Sequence, residues 1–261
     1  MRPERSQKTS ILQKPLYIMR MKNFKEISDI KIYLDSASTD EIFEFYRNSR
    51  DFISGFTTNP TLMKNSGVRD YKAFMKEILS EITDLPISFE VFADELDEMK
   101  KQANILSGIG PNVFVKIPVT NTKGISTHKL VSELNKEGVL CNVTAIMTLQ
   151  QIEKIQGSLD SSNPIILSVF AGRIADTGRN PEPLLQEICE SVNSQENISV
   201  LWASTRELLN IFQAASSGCD IVTVTSPLLK KLQNVGKDLD QLSLETVEMF
   251  YNDAKSAGYS I

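Results

Sequence analysis

From Lys31 onward the chain repeats one pattern of apolar and polar positions. Short runs rich in β-branched and aromatic residues fall at 32–35, 53–56, 87–92, 113–117, 139–143, 165–170, 198–203 and 221–225. Such runs, bounded by polar or turn-forming neighbours, read as buried strands. Between them the apolar positions recur at helical spacing, over 40–50, 71–82, 96–106, 127–136, 149–155, 183–192 and 205–216, with 227–232 after the last strand. Strands that alternate with helices at this interval imply parallel βαβ units. Eight such units in roughly 230 residues fit an α/β fold of one kind, the closed (β/α)8 TIM barrel, better than an open doubly wound sheet. No Gly-rich dinucleotide fingerprint or phosphate loop follows any strand, which also weighs against the open sheet.

Two segments lie outside this repeat. Residues 1–28 are polar and basic without a clear period, and they read as a flexible N-terminal extension. That leaves 29–261 as a single barrel domain with an additional C-terminal helix. This helix, 239–257, carries Leu242, Leu244, Val247, Met249, Phe250 and Tyr251, and it exceeds what closing a barrel requires. It can pack across the barrel, the arrangement favoured here, or reach a neighbouring copy in a homo-oligomer.

Composition narrows the partners. With 261 residues, 41% of them hydrophobic, the chain supplies the core of one large domain. A net charge of −5 argues against nucleic acid or an anionic membrane surface. It leaves phosphorylated metabolites open, because local donors hold a small anion whatever the global sign. Cys141, Cys189 and Cys219 are widely spaced in apolar surroundings and read as free thiols of a reducing compartment. No apolar run is long enough to cross a bilayer, so the expected location is cytoplasmic. The only histidine, His128, argues against histidine metal clusters and against Ser-His or Cys-His triads. Neither a metal nor a cofactor is expected.

The stretch Val113-Phe114-Val115-Lys116-Ile117-Pro118 carries the chemistry. A lysine inside a buried strand has its ammonium form disfavoured, which raises the fraction of nucleophilic amine. The bland alternative is a stem packed on the sheet with its head in solvent. Strand alternation and the C-terminal strand ends of a barrel collect further polar residues. Asp35 ends the first strand and Asn59 follows the second. Glu90 points inward on the third, Asn142 and Thr144 end the fifth, and Ser168 lies on the sixth with Gly172-Arg173 after it. Ser204 and Arg206 follow the seventh. Singly, each has a structural reading. Asp35 can cap a helix, Asn59 can make an Asx turn, Glu90 can neutralise Lys116, and each arginine can be a solvated loop residue. Jointly they suit carbon–carbon bond chemistry through an imine. Lys116 attacks a ketone, Asp35 exchanges the proton of the hydroxyl on the carbon cleaved, and Glu90 with Thr144 orders a proton-carrying water. Arg173 and Arg206 offer the fork that grips a phosphate.

These residues sit in Ile32-Tyr33-Leu34-Asp35-Ser36-Ala37, Thr57-Thr58-Asn59-Pro60, Val115-Lys116-Ile117-Pro118, Asn142-Val143-Thr144 and Gly172-Arg173-Ile174. In those motifs the chain resembles the transaldolases and their smaller relatives, the fructose-6-phosphate aldolases. The resemblance implies Lys116 as the Schiff-base residue, Asp35 and Glu90 as acid–base groups, and Thr144 beside the catalytic water. It further implies Asn59, Asn142 and Ser168 around a dihydroxyacetone moiety, and Arg173, Ser204 and Arg206 at a phosphate. The expected partners are therefore small-molecule sugar phosphates. Within the family, a glutamate at 90 and a phenylalanine at 170 match the transaldolases proper, where the aldolases tend to carry glutamine and tyrosine. A phenyl ring cannot protonate the enamine, which favours transfer over release of dihydroxyacetone. Val169 and Thr205 depart from the proline and the aromatic residue usual at those positions. A fructose-6-phosphate aldolase and a non-catalytic sugar-phosphate-binding barrel are the alternatives.

Overall fold

A computed structural model describes residues 29–159 and 163–261. The extension expected over 1–28 lies outside the described residues. The chain forms a closed barrel of eight parallel strands in sequential order. They are β1 (Lys31–Asp35), β2 (Ile53–Thr57), β3 (Ile87–Glu90), β4 (Val113–Pro118), β5 (Cys141–Ile146), β6 (Ile165–Val169), β7 (Ile198–Trp202) and β8 (Ile221–Val224). β8 closes on β1 through a continuous register from Lys31↔Ile221 to Leu34↔Val224.

Around the strands lie α1 (Thr39–Asn48), α2 (Pro60–Asn65), α3 (Tyr71–Glu81), α4 (Leu96–Ser107), α5 (His128–Lys136) and α6 (Leu149–Gln156). They are followed by α7 (Ala171–Ala175), α8 (Glu182–Val192), α9 (Leu209–Ser216), α10 (Ser226–Lys230) and α11 (Leu239–Ser256), with a 3₁₀ turn at Lys231–Asn234 before the last. Local chemistry starts several of them. Ser38, Asn59, Asp70 and Thr148 each accept a backbone N–H of the helix they precede. The apolar faces of the long helices and the outward residues of the strands form one large core, including Phe45, Phe56, Ile78, Phe89 and Trp202.

A second, smaller cluster fills the barrel's interior: Tyr33, Phe114, Ile166, Leu201, Ala203 and Ile221. Gly55 makes room for it, since a Cβ there would lie 2.6 Å from the Tyr33 ring. This plug closes the barrel beneath its C-terminal mouth.

Several element bounds differ from the sequence pattern. β5 begins at Cys141 rather than 139, because Gly138 (φ +87°) ends α5 and the Val139 N–H donates back to the Leu134 carbonyl at 3.0 Å. α9 begins at Leu209 rather than 205, because the Asn210 side chain first takes the N–H groups of Arg206 and Glu207. β3 stops at Glu90, and the short helices α2 and α7 carry too few turns to show a period. The expected packing of the C-terminal helix across the barrel is not seen. None of the residues of α11 is buried, and Leu239, Val247, Phe250 and Tyr251 are more than half exposed. Among the described residues, no helix is long and apolar enough to cross a membrane. The three cysteines are free.

Candidate active site

Alternation along the strands places the chemistry. On β4, Phe114 belongs to the interior plug, and Lys116, two residues on, faces the space above it. Lys116 is 7% exposed. Its ammonium donates to the Thr58 carbonyl at 2.6 Å and stands 3.5 Å from Glu90 Oε2. Glu90 is the register partner of Lys116 across the β3–β4 pair and points inward, as the alternation requires. Its role as a neutralising partner and its availability to a bound substrate are therefore compatible. The loops after these strands are tied together: Asp94 accepts from Thr122 N–H (2.8 Å) and Oγ1 (2.7 Å), and Glu95 pairs with Lys123.

Asp35 ends β1 on the opposite wall. Thr57 Oγ1 donates to its Oδ1 at 2.7 Å, and Asn59 Nδ2 donates to its Oδ2 at 3.2 Å. Thr57 Oγ1 lies in turn 2.6 Å from Thr223 Oγ1 on β8. Burial pushes the Asp35 carboxyl above its ordinary value, and the Lys116 charge with the Thr57 and Asn59 bonds pulls it partway back. Asp35 caps no helix, since Ser38 performs that task for α1. Asn59 has both of the roles open to it in sequence. Its Oδ1 caps α2 at the Leu62 N–H (3.0 Å) while its amide holds Asp35.

A buried polar relay crosses the floor between β6 and β3. Ser168 Oγ donates to Asn142 Oδ1 at 2.6 Å, and Asn142 Nδ2 donates to Ser88 Oγ at 3.0 Å. Thr144 is buried beside a break in the β5–β6 register where Ala145 takes φ +60°. Such a bulge redirects the strand end at a barrel rim.

The rim after β6 and β7 is cationic and tightly folded. Arg173, on α7, and Arg206, after β7, are exposed and face the same opening as the half-buried Phe170. Ser204 adopts φ +67°, a left-handed conformation rare for a side-chain-bearing residue. A Cβ at Gly172 would lie 1.6 Å from the Ser204 carbonyl oxygen, so only glycine permits this approach. Arg206 donates from Nε (3.2 Å) and from its terminal nitrogen (2.5 Å) to Asp176. That bond, with the Arg173 charge nearby, holds the Asp176 carboxyl below the usual range.

All the residues singled out in sequence thus line one cavity of about 390 Å³: Lys116, Asp35, Glu90 and Thr144 with Asn59, Asn142 and Ser168 at depth, and Phe170, Arg173, Ser204 and Arg206 at the rim. Sequence reasoning assigned no role to the residues that hold them. Thr57 and Thr223 face inward two residues above Gly55 and Ile221, so alternation could have found them. Ser88, two residues before Glu90 on β3, carries the same signal, whereas Asp176 gave none.

The fold and the cavity define a (β/α)8-barrel protein whose mouth sets one amine and two carboxylates beneath two guanidinium groups. The chain belongs to the transaldolase/fructose-6-phosphate aldolase family, whose model matches residues 32–261. It is 37% identical over 205 residues to a "Probable transaldolase" of Caldicellulosiruptor saccharolyticus, covering 78% of this chain and 89% of the relative. It is 34% identical over 233 residues to a protein of the same description from a Thermoanaerobacter species, covering 89% of this chain and all of the relative. Among solved structures, a 3-hexulose-6-phosphate synthase from Salmonella typhimurium superposes with TM-score 0.52 at 14% identity, covering 79% of this chain and 97% of that one. A dihydrodipicolinate synthase from Rhodopseudomonas palustris superposes with TM-score 0.52 at 13% identity, covering 86% and 79%. At such identities the likeness is one of fold.

Proposed function

We propose that the protein is a transaldolase. It moves a dihydroxyacetone unit from a ketose phosphate, sedoheptulose 7-phosphate or fructose 6-phosphate, to an aldose phosphate, glyceraldehyde 3-phosphate or erythrose 4-phosphate. The step belongs to the pentose phosphate pathway and takes place in the cytoplasm. The observation that carries this reading is the Lys116 amine, buried at the end of β4 in a cavity shared with Asp35 and Glu90.

The unprotonated amine attacks the ketone carbonyl, and loss of water gives an imine whose protonated form draws electrons from the adjacent carbon–carbon bond. Glu90, 3.5 Å from the amine, moves protons during this dehydration, and Thr144, which lines the same cavity, holds the water. Asp35 accepts the proton of the hydroxyl on the carbon being cleaved. The bond breaks, an aldose phosphate leaves, and an enamine stays on Lys116. A carboxyl whose value burial has raised suits a group that must both take and return a proton. The second aldehyde then adds to the enamine as Asp35 gives the proton back, and water releases the new ketose. Arg173 and Arg206 take the phosphate, Arg206 with the donors left over from its pair with Asp176.

Phe170 favours transfer over cleavage, because it presents a phenyl ring and no hydroxyl to the cavity. With fructose 6-phosphate alone, free dihydroxyacetone should stay near background. Addition of erythrose 4-phosphate should yield sedoheptulose 7-phosphate and glyceraldehyde 3-phosphate. Rapid accumulation of free dihydroxyacetone without an acceptor would assign the aldolase activity instead. No turnover in either assay would leave a binding barrel.

A further inference from the structure

Glu90 sits where β3 leaves the sheet, and its backbone is held in an unusual way. β2 and β3 pair through Phe56↔Ile87 and Thr57↔Ser88. Their hydrogen bonds advance regularly, from Phe56 N–H to the Pro86 carbonyl (2.8 Å) and from Thr58 N–H to the Ser88 carbonyl (3.3 Å). In a regular parallel ladder the next rung would join the Glu90 N–H to the Thr58 carbonyl. That rung is missing. The Thr58 carbonyl receives the Lys116 ammonium at 2.6 Å, and at Asn59 the chain turns away into α2.

The orphaned backbone of Glu90 is met by one side chain. The Glu90 N–H donates to Tyr71 Oη at 2.8 Å, and the Tyr71 hydroxyl donates to the Glu90 carbonyl at 3.3 Å. Tyr71 is the first residue of α3, with its N-cap Asp70 bonded to the Ala73 N–H at 3.0 Å, so its backbone is fixed. Its ring packs edge-on against Phe89 with centroids 6.1 Å apart and against Phe92 at 4.7 Å. Burial raises the Tyr71 phenol well above its ordinary value, so the hydroxyl keeps its proton and both accepts and donates. Tyr71 does not line the cavity.

We infer that Tyr71 is the positioning residue of this site. Its hydroxyl substitutes for the missing strand partner of Glu90, holding that carboxylate beside Lys116 while the Thr58 carbonyl stays free to receive the amine. The inference rests on the imine reading of Lys116, and it assigns a task to a residue outside the substrate's reach. Glu90 serves dehydration and hydration of the imine rather than phosphate binding, so loosening it should slow turnover and spare donor affinity.

Tyr71→Phe keeps the ring and removes only the hydroxyl. In the transfer assay, kcat should fall about ten-fold, with KM for fructose 6-phosphate changed less than about two-fold. In a Glu90→Gln background the same substitution should change kcat by less than about two-fold, because its effect runs through that carboxylate. Amide exchange at Glu90, read without substrate, should quicken in Tyr71→Phe. An unchanged kcat, or an equal loss in both backgrounds, would overturn the inference, and so would Glu90 exchange as slow as in the unsubstituted protein. If the unsubstituted protein fails to transfer dihydroxyacetone, the transaldolase reading falls, and the exchange result alone decides whether Tyr71 clamps Glu90.

Discussion

The lower and upper halves of the barrel interior are built on the same strands, two residues apart, and have opposite character. Tyr33 lies below Asp35 on β1, Phe114 below Lys116 on β4, Ile166 below Ser168 on β6, and Ile221 below Thr223 on β8. The lower residue of each pair joins an apolar plug, and the upper one faces the cavity. Burial lifts the Tyr33 phenol to about 12, as an apolar environment requires. The plug gives Lys116 an apolar floor, and beside such a low-dielectric wall each charge interaction above is stronger than in bulk solvent. One strand period thus supplies both a core that stabilises the barrel and a site that does chemistry.

Substitutions at the two levels should separate these roles. The largest effect is expected for Lys116→Ala. Turnover should drop by at least about 10³-fold, while circular dichroism shows the barrel intact. A variant that keeps its activity would show that the upper half works without the amine. Next comes Phe114→Ala, directly below it. Loss of a buried phenyl costs about 3–5 kcal/mol, so Tm should fall by roughly 6–20 °C. Thermal denaturation that left Tm unchanged would mean that the plug carries no stability.

Gly172→Ala targets the rim instead of the depth. A methyl carbon on residue 172 would fall 1.6 Å from the Ser204 carbonyl oxygen, so the backbones carrying Arg173 and Ser204 must separate. KM for fructose 6-phosphate should rise roughly ten- to a hundred-fold through weakened charge-assisted bonds, whereas the dihydroxyacetone moiety should still reach Lys116. Equal losses for phosphorylated and unphosphorylated ketoses would break the link between this rim and the phosphate.

Asp35→Asn should have the smallest effect on stability, with a definite sign. The folded carboxyl titrates above its unfolded value, so the folded state binds more protons between the two values, and stability falls as pH rises through that window. Asparagine lacks this loss. Its Tm should therefore exceed that of the unsubstituted protein near pH 7, and the advantage should vanish below about pH 4, the ordinary aspartate range. An advantage that grew in acid would contradict the burial of Asp35.

Much of this arrangement was legible in the chain. Period-two alternation marked Glu90 as inward, the buried β-rich run marked Lys116, and strand ends marked Asp35, Asn142 and Ser168. The contacts that hold them were hidden, because each joins residues across a long separation. Tyr71 reaches Glu90 from nineteen positions away, Thr57 reaches Asp35 from twenty-two, and Asp176 reaches Arg206 from thirty. In the chain itself Tyr71 was only the first position of the helical run 71–82. The C-terminal helix misled for a related reason. Its apolar residues implied a covering partner, but the pattern did not say which surface, and the barrel leaves it uncovered.

Borohydride reduction in the presence of fructose 6-phosphate, followed by peptide mapping, tests the central claim most directly. Imine chemistry predicts one stable adduct on Lys116, carrying the mass of a reduced dihydroxyacetone unit once glyceraldehyde 3-phosphate has left and with no acceptor aldehyde added, and none in Lys116→Ala. A folded protein that turns over the sugar yet yields no adduct at Lys116, or yields one on another lysine, would contradict it.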